Sequence, residues 1–316
     1  GHIQQVASEI EDDRAAKVLD LAGTYCSPGL ADLRAQLGDP GLEHLEDLAS
    51  GSQVAAAGGY TLVGILPTTV PAISNKSQVA YLQTKAQALP INMVPLAIFR
   101  KPESPNELTE MLELAEAGVR GFTQGDEAVA DAGFLKRAML YSCNLNAPVM
   151  LHPQHPGLQE EGDMNEGLTS IQLGLGGNPA MAEHIAIKQN IELCRYTGAH
   201  VHFSKITTAR SVRLIAEAKQ EGLPITCDTG ILYLIYHEQH LLTFNYPTTL
   251  KLDPPLRTPE DRAALREGVL EGTIDALISD HQPVQDEDKA CEFPMAEPGS
   301  IGLQTMLPLL FRAFDK

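Results

Sequence analysis

Eight short apolar runs recur along the chain, and helical patterns separate most neighbouring pairs of them. The runs are residues 29–33, 60–66, 92–99, 119–124, 148–152, 200–206, 224–229 and 274–279. Several are apolar throughout rather than alternating, which is typical of parallel strands covered on both faces. This alternation predicts an α/β fold, a (β/α)8 barrel. The alternative, a doubly wound open sheet, needs a glycine-rich phosphate turn after an early strand, and the sequence offers none.

The intervening helices carry clear start and stop signals. We predict a helix with Asn178 as its N-cap and Pro179 in its first turn, ending at Gly198. Another begins at Thr258, where Asp261 three residues later resembles a capping box. These boundaries strengthen the assignment of alternating strands and helices.

Composition excludes several classes of function. A formal charge of −18 argues against a nucleic-acid-binding surface, which needs a basic patch. The five cysteines are scattered and form no C-x-x-C pair, so we expect free thiols and a cytoplasmic location. No apolar run approaches the roughly 18 residues of a membrane helix, and the N-terminus lacks the apolar region of a signal peptide.

In a barrel of this kind, chemistry resides at the carboxyl ends of the strands. A hydrolytic metal site there needs about three or more His or carboxylate ligands around one ion. Arg34 and Lys205 are positively charged, so they disfavour the binding of a metal cation. The positions at the predicted strand ends are Arg34, Gln36, Thr68, Gln124, His152, Lys205, Asp228, and Asp280 with His281.

Other histidines have simpler interpretations. His200 and His202 lie on one face of the strand HVHFSK, where they could form a metal-binding pair. We expect instead that they pack or form hydrogen bonds near the start of that strand. His155 lies in a proline-flanked loop, where a surface position is expected.

Longer motifs resemble a known family over nearly the whole chain. They are PGLADL, EHLEDLASGSQVAAAGGYT, NEGLTSIQLGLGGNPAMAEHIA, GAHVHFSKITTARSVRLIAEAKQEGLPITCD, PPLRTPEDRAALREGVLEGTIDALISDHQP and PGSIGLQTMLPL. In this order they resemble dihydroorotases of the cyclic amidohydrolase type. The resemblance implies the barrel of metal-dependent hydrolases over residues 24–316. Residues 1–23 are then expected to be the incomplete N-terminal portion of a small β-domain.

The resemblance also implies where a metal centre would lie, and the chain departs from the family there. The family's His-x-His-x-Arg after the first strand is represented by Arg34, Gln36 and Gly38. The bridging carboxylate falls at Gln124 or the following glycine, and the His ligand after the sixth strand is Lys205. Of six ligand positions, two remain.

Those two are His152 and Asp280, the latter being the family's ligand and general base. The positions that contact substrate in the family are also altered. Gly38 replaces a carboxylate-binding arginine and Thr68 an asparagine, while Arg257 is retained. The full set of altered substrate positions is Gly38, Thr68, Asp253 and Val284.

Together these departures predict a protein without catalytic residues, in which Asp280 is a vestige and zinc is absent. Metal-bound hydroxide is the nucleophile in this class of reaction, and incomplete ligand sets rarely hold zinc. We expect Lys205 to form an ion pair with Asp280 in place of the metal, since an unpaired buried carboxylate is costly.

The resemblance extends to inactive dihydroorotase-like proteins that accompany aspartate carbamoyltransferase in some bacteria. It implies an assembly role in pyrimidine biosynthesis, as a hetero-oligomer or homodimer, with no nucleic acid or membrane as partner. The alternative is an active zinc-dependent dihydroorotase or cyclic amidohydrolase with a mononuclear site. Its ligands would be His152, Asp280, His281 or His155. A small-molecule sensor that uses the old pocket is a third hypothesis.

Overall fold

The computed structural model of the protein describes residues 3–8, 10, 16–159 and 162–314. Its strands are β1 Leu30–Ala35, β2 Tyr60–Ile65, β3 Asn92–Pro95, β4 Arg100–Lys101, β5 Ser104–Leu108, β6 Phe122–Thr123, β7 Val149–Leu151, β8 Met164–Asn165, β9 Gly177–Asn178, β10 Val201–Phe203, β11 Ile225–Gly230 and β12 Ala276–Ile278. Its α-helices are α1 Leu48–Ala57, α2 Lys76–Ala86, α3 Met111–Glu116, α4 Ala132–Ser142, α5 Leu168–Leu173, α6 Met181–Thr197, α7 Ala209–Gln220, α8 Ile231–Ile235, α9 Gln239–Thr243, α10 Pro259–Leu270, α11 Asp286–Lys289 and α12 Met306–Phe314.

Eight parallel strands form the barrel that the sequence predicts. One group runs in the order β1-β2-β3 and the other in the order β12-β11-β10-β7-β6. A bridge between Ala97 and Phe122 joins the groups on one side. On the other side the amide of Gln36 donates to the carbonyl of His281 at 2.9 Å. Each predicted strand is present, which confirms the predicted α/β fold, and all eight carboxyl ends face one mouth.

The barrel holds together because apolar strands bury their outer faces under amphipathic helices. Val63, Val149, Val201 and Phe203 are fully buried in one continuous hydrophobic core. Burial of apolar surface is the main favourable term in folding, so this core stabilises the barrel.

Helix capping follows the sequence signals in most places. Thr258 caps α10 and forms the predicted capping box with Asp261. The prediction for Asn178 is wrong, because this residue pairs in β9 and α6 begins only at Met181. Its side-chain oxygen accepts a hydrogen bond from Arg257 instead, at 3.2 Å. A tertiary interaction has displaced a local cap.

The predicted remnant of a small β-domain at residues 1–23 falls partly outside the described residues, which omit 1, 2, 9 and 11–15. In the part that is described, no strand precedes Leu30. The domain division therefore stays a prediction. Among the described residues, no helix is long and apolar enough to cross a membrane.

Candidate functional site at the barrel mouth

Lys205 lies at the centre of the mouth, just after β10. Its side chain is fully buried. The ammonium Nζ donates to the carbonyl oxygen of Asp253 at 2.6 Å. It lies 3.0 Å from Asp126 Oδ2 and 3.4 Å from Asp280 Oδ1. The Lys205–Asp280 ion pair expected from the sequence is therefore present, with Asp126 as a second carboxylate.

These contacts keep Lys205 charged. Burial opposes the positive charge, but Asp126 and Asp280 outweigh it and raise the pKa of Lys205 above its ordinary value. The backbone amide of Lys205 also donates to Asp228 Oδ1 at 2.7 Å, which fixes the turn that presents the side chain. Lys205 therefore acts as a permanent cation in the mouth.

Arg34 supplies a second buried cation from β1. Its side chain is 2% exposed, and its Nη2 donates to Asp126 Oδ1 at 2.5 Å. Burial opposes its charge, but Asp126 and Asp280 raise the pKa of Arg34 above its ordinary value. Arg34 and Lys205 together with Asp126 and Asp280 form a cluster of two cations and two carboxylates, called here the mouth cluster.

Asp126 is the member of the mouth cluster that the sequence analysis missed. It lies three residues beyond β6, and its side chain is 20% exposed. Burial works against its charge, but Arg34 and Lys205 hold the pKa of Asp126 below its ordinary value. The available signal was its place in TQGDE, directly after the two positions where the bridging carboxylate was sought.

Asp280 follows β12 and is buried beside Lys205. Burial raises its pKa, and Lys205 and Arg34 offset only part of that effect. Lys205 and Asp280 both adopt left-handed backbone conformations, with φ of 56° and 50°. Such conformations cost about 1–2 kcal/mol for a residue with a side chain, so the surrounding contacts must hold both residues in place.

His152 lies at the end of β7 beside the mouth cluster. Its Nδ1 is 3.8 Å from Asp126 Oδ1, and neither ring nitrogen has a hydrogen-bond partner among the described residues. Burial lowers the pKa of His152, and Asp126 counteracts only part of that shift. The ring is therefore a neutral imidazole at neutral pH.

Among the described residues, Gln124 and Gln36 form no side-chain hydrogen bond with the mouth cluster, and Gly38 has no side chain. Gln124 Oε1 accepts from the backbone amides of Phe99 and Arg100 at 3.0 and 3.1 Å, which ties the end of β6 to the segment after β3. Gln36 makes the barrel-closing backbone bond described above, and no side-chain hydrogen bond of Gln36 is present in the described part. A Cβ at Gly38 would lie 2.1 Å from the carbonyl oxygen of Leu42, so this position has no room for a carboxylate-binding arginine.

The remaining predicted substrate positions lie around the rim. Thr68 Oγ1 is buried without a partner in the described structure. Asp253 offers its carbonyl to Lys205, and Val284 is half-buried in the loop after β12. Arg257 is buried and donates to the carbonyl of Asn178 at 2.7 Å, so it braces the rim rather than facing the mouth cluster.

The other histidines have structural partners. His281 contacts Glu46 through Nε2 and accepts from the amide of Gly302 at 3.3 Å, so groups other than Asp280 hold its ring. His202 contacts Asp228 at 2.8 Å, and His200 contacts Thr226 at 3.0 Å, as hydrogen-bonding histidines. Both were expected to play that part.

The mouth residues do not fit the binuclear metal centre that the family resemblance implies. The described residues contain no group of three or more His, Cys, Asp or Glu side chains placed to hold a metal ion. Lys205 Nζ occupies the space between the two carboxylates that could ligate one. Ammonium and guanidinium groups are donors only and cannot act as ligands.

Comparisons with known proteins now place the chain. A family model described as Dihydro-orotase-like matches residues 23–211. A dihydroorotase of Geotalea daltonii is 37% identical, covering 100% of this chain and 74% of its own. A dihydroorotase of Carboxydothermus hydrogenoformans is 38% identical, covering 98% and 72%.

Solved structures support the fold alone. The L-hydantoinase (dihydropyrimidinase) of Arthrobacter aurescens superposes with a TM-score of 0.76 at 23% identity, covering 90% of this chain and 65% of its own. The dihydropyrimidinase of Brevibacillus agri gives a TM-score of 0.72 at 20% identity, with the same coverage. The chain thus spans slightly less than two thirds of these structures.

One expectation from the sequence does not stand. Dihydroorotases and hydantoinases are typically zinc-dependent, so the relatives contradict the expectation of a protein without a zinc cofactor. The expectation that zinc is absent rested on lost ligand positions and left out Asp126, a carboxylate that lies at the mouth. With a model match over more than half of its length and relatives above 30% identity, the chain belongs to the dihydroorotase-like family.

Proposed function

We propose that this protein takes part in pyrimidine biosynthesis as a dihydroorotase-like member that does not turn over substrate, and that it is a structural partner of aspartate carbamoyltransferase. The proposal has a catalytic half, that the protein does not turn over substrate, and a partner half, that it binds aspartate carbamoyltransferase. The observation that carries the catalytic half is the position of Lys205 Nζ between Asp126 and Asp280. A general base must be free to take a proton, and Asp280 is already engaged with a cation.

The partner half rests on the family resemblance and on exposed apolar surface. On α5, Leu168 and Ile171 are 80% and 76% exposed, and on the neighbouring α9 and its end Leu242 and Phe244 are exposed as well. Helix α5 lies in the segment between β7 and β10, and α9 lies in the segment between β11 and β12. Large exposed apolar patches mark surfaces that bind partners. A cytoplasmic hetero-oligomer or homodimer belongs to the same proposal, and the five free cysteines support that compartment.

The catalytic half is tested by dihydroorotate ring opening with zinc-supplemented protein, together with metal analysis of the same sample. The proposal expects a rate no higher than that of the uncatalysed reaction. The partner half is tested by co-purification with aspartate carbamoyltransferase from the same organism. Leu168→Glu should weaken that association, whereas Leu270→Glu, a 75% exposed leucine on α10, should leave it unchanged.

An active hydrolase with an atypical mononuclear site is the second candidate, and one observation favours it. Neither ring nitrogen of His152 has a partner in the described part of the chain, and Nδ1 lies 3.8 Å from Asp126 Oδ1. Stoichiometric zinc together with turnover would establish this candidate. Turnover that disappears in His152→Ala, while Lys76→Ala retains it, would assign the activity to this site.

A further inference from the structure

A small cavity lies beside His152, between the ends of β6 and β7 and the helix α6. Its volume is about 10 Å³. Phe99 and Val129 supply part of the apolar wall, and His152, Gln154 and Asn190 supply polar wall. Gln124 and Glu127 complete the polar part of the lining. About 10–15 Å³ is the space that one water molecule needs. The cavity is therefore large enough for a single small occupant.

Three polar side chains of the wall have atoms without partners. His152 leaves both ring nitrogens unpartnered, Gln154 both amide atoms, and Asn190 its Oδ1, among the described residues. His152, Gln154 and Asn190 are all more than nine-tenths buried. Buried polar groups in folded proteins almost always have a partner, either protein or ordered water. Three buried polar side chains with unpartnered atoms around one cavity therefore point to an occupant.

The chemistry of these atoms selects the kind of occupant. The Gln154 amide offers both a donor and an acceptor, Asn190 Oδ1 is an acceptor, and the His152 ring carries at least one N–H donor. A metal cation would satisfy the acceptors and leave the Gln154 amide nitrogen and the imidazole N–H without a partner. An anion would satisfy only the donors. A water molecule can donate two hydrogen bonds and accept two, and so can serve both sets.

We propose that this cavity is a binding site for one ordered water molecule, which bridges His152 and Gln154 at the end of β7 to Asn190 on α6. The bridge fixes the orientation and tautomer of the His152 ring. It also links the floor of the mouth to the outer helical layer. The site does not depend on the proposed function, because Gln154 and Asn190 leave buried polar atoms without partners among the described residues whether or not the protein is active.

The test is a crystal structure of the intact protein at about 1.6 Å, with X-ray data also collected at the zinc absorption edge. The expected result is one spherical density peak within about 3.2 Å of all three side chains, without anomalous signal. In Gln154→Met the peak should lose occupancy. In Ser142→Ala, which removes a buried hydroxyl already bonded to the Met139 carbonyl, the peak should remain.

Three results would overturn the proposal. An anomalous peak in the cavity would identify a metal. A cavity without density would show a dry site. Direct hydrogen bonds among His152, Gln154 and Asn190 would show that the side chains satisfy one another. The wild-type density decides between these outcomes even if Gln154→Met does not fold.

Discussion

Replacement of Lys205 by methionine tests the mouth cluster most sharply. Methionine keeps most of the side-chain volume and removes the charge that Asp126 and Asp280 share. Removal of one partner from a buried ion pair costs about 3–5 kcal/mol, because the remaining charge is left uncompensated. Arg34 still pairs with Asp126 at 2.5 Å, so Asp280 is the carboxylate chiefly affected. We therefore expect a loss of about 3 kcal/mol in the free energy of unfolding.

This cost should depend on pH with a definite sign. Burial already raises the pKa of Asp280, and loss of Lys205 removes the first charge that lowers it. In Lys205→Met the folded state then binds a proton at a pH where the unfolded chain does not. The stability of the variant should rise as the pH falls through that folded-state pKa. The difference from the wild type should be largest at about pH 8 and smaller at about pH 5.

Urea titrations followed by circular dichroism measure both effects. Lys76→Met is the matched control, since Lys76 makes a surface pair with Glu113 at 3.5 Å and is 68% exposed. That change should stay within about 0.5 kcal/mol. The double variant Lys205→Met with Asp280→Asn should cost less than the sum of the single changes, with a coupling of about 1–3 kcal/mol. The reasoning is refuted if Lys205→Met costs no more than Lys76→Met at about pH 8.

Three further changes test separate parts of the fold. Thr258→Ala removes the α10 cap and should lower the free energy of unfolding by about 1 kcal/mol in urea titrations, whereas an unchanged midpoint contradicts a role for the cap. In the wild type the Thr207 amide and the Ser211 hydroxyl donate to Glu183. Glu183→Gln should lower the free energy of unfolding by about 3 kcal/mol in the same measurement, because the new amide nitrogen is a donor that faces other donors. A cost below about 1 kcal/mol argues against that network. Burial raises the pKa of Asp32 to about 6, so the folded state keeps a proton that the unfolded chain releases. Stability should fall by about 2 kcal/mol from this group as the pH rises from about 4 to about 7. Asp32→Asn should remove that part of the pH dependence, and an unaltered slope would contradict the assignment.

The barrel could be predicted from the sequence because its signal is periodic. Each buried strand is a short apolar run, and parallel strands covered on both faces need such runs. The Lys205–Asp280 pair was predictable for a related reason, since residues at strand ends of a closed barrel must converge. Local sequence therefore carried the architecture and the first ion pair of the mouth.

What the sequence could not supply lies in loops and long-range contacts. Asp126 reaches the mouth from a turn after β6, whose course no periodicity specifies. Asn178 has the local pattern of an N-cap, but Arg257, 79 residues away, binds its side chain. His281 neighbours Asp280 in sequence, yet its ring faces Glu46. In each case a tertiary partner decided the orientation.

The measurement that bears most directly on the central claim is dihydroorotate ring opening by the purified protein after zinc loading. The dihydroorotase of Geotalea daltonii, assayed under the same conditions, is the positive control. A mouth in which Lys205 is locked between Asp126 and Asp280 predicts no rate above the uncatalysed reaction, whatever the zinc content of the sample. Zinc-dependent turnover comparable to that of the control would contradict the account.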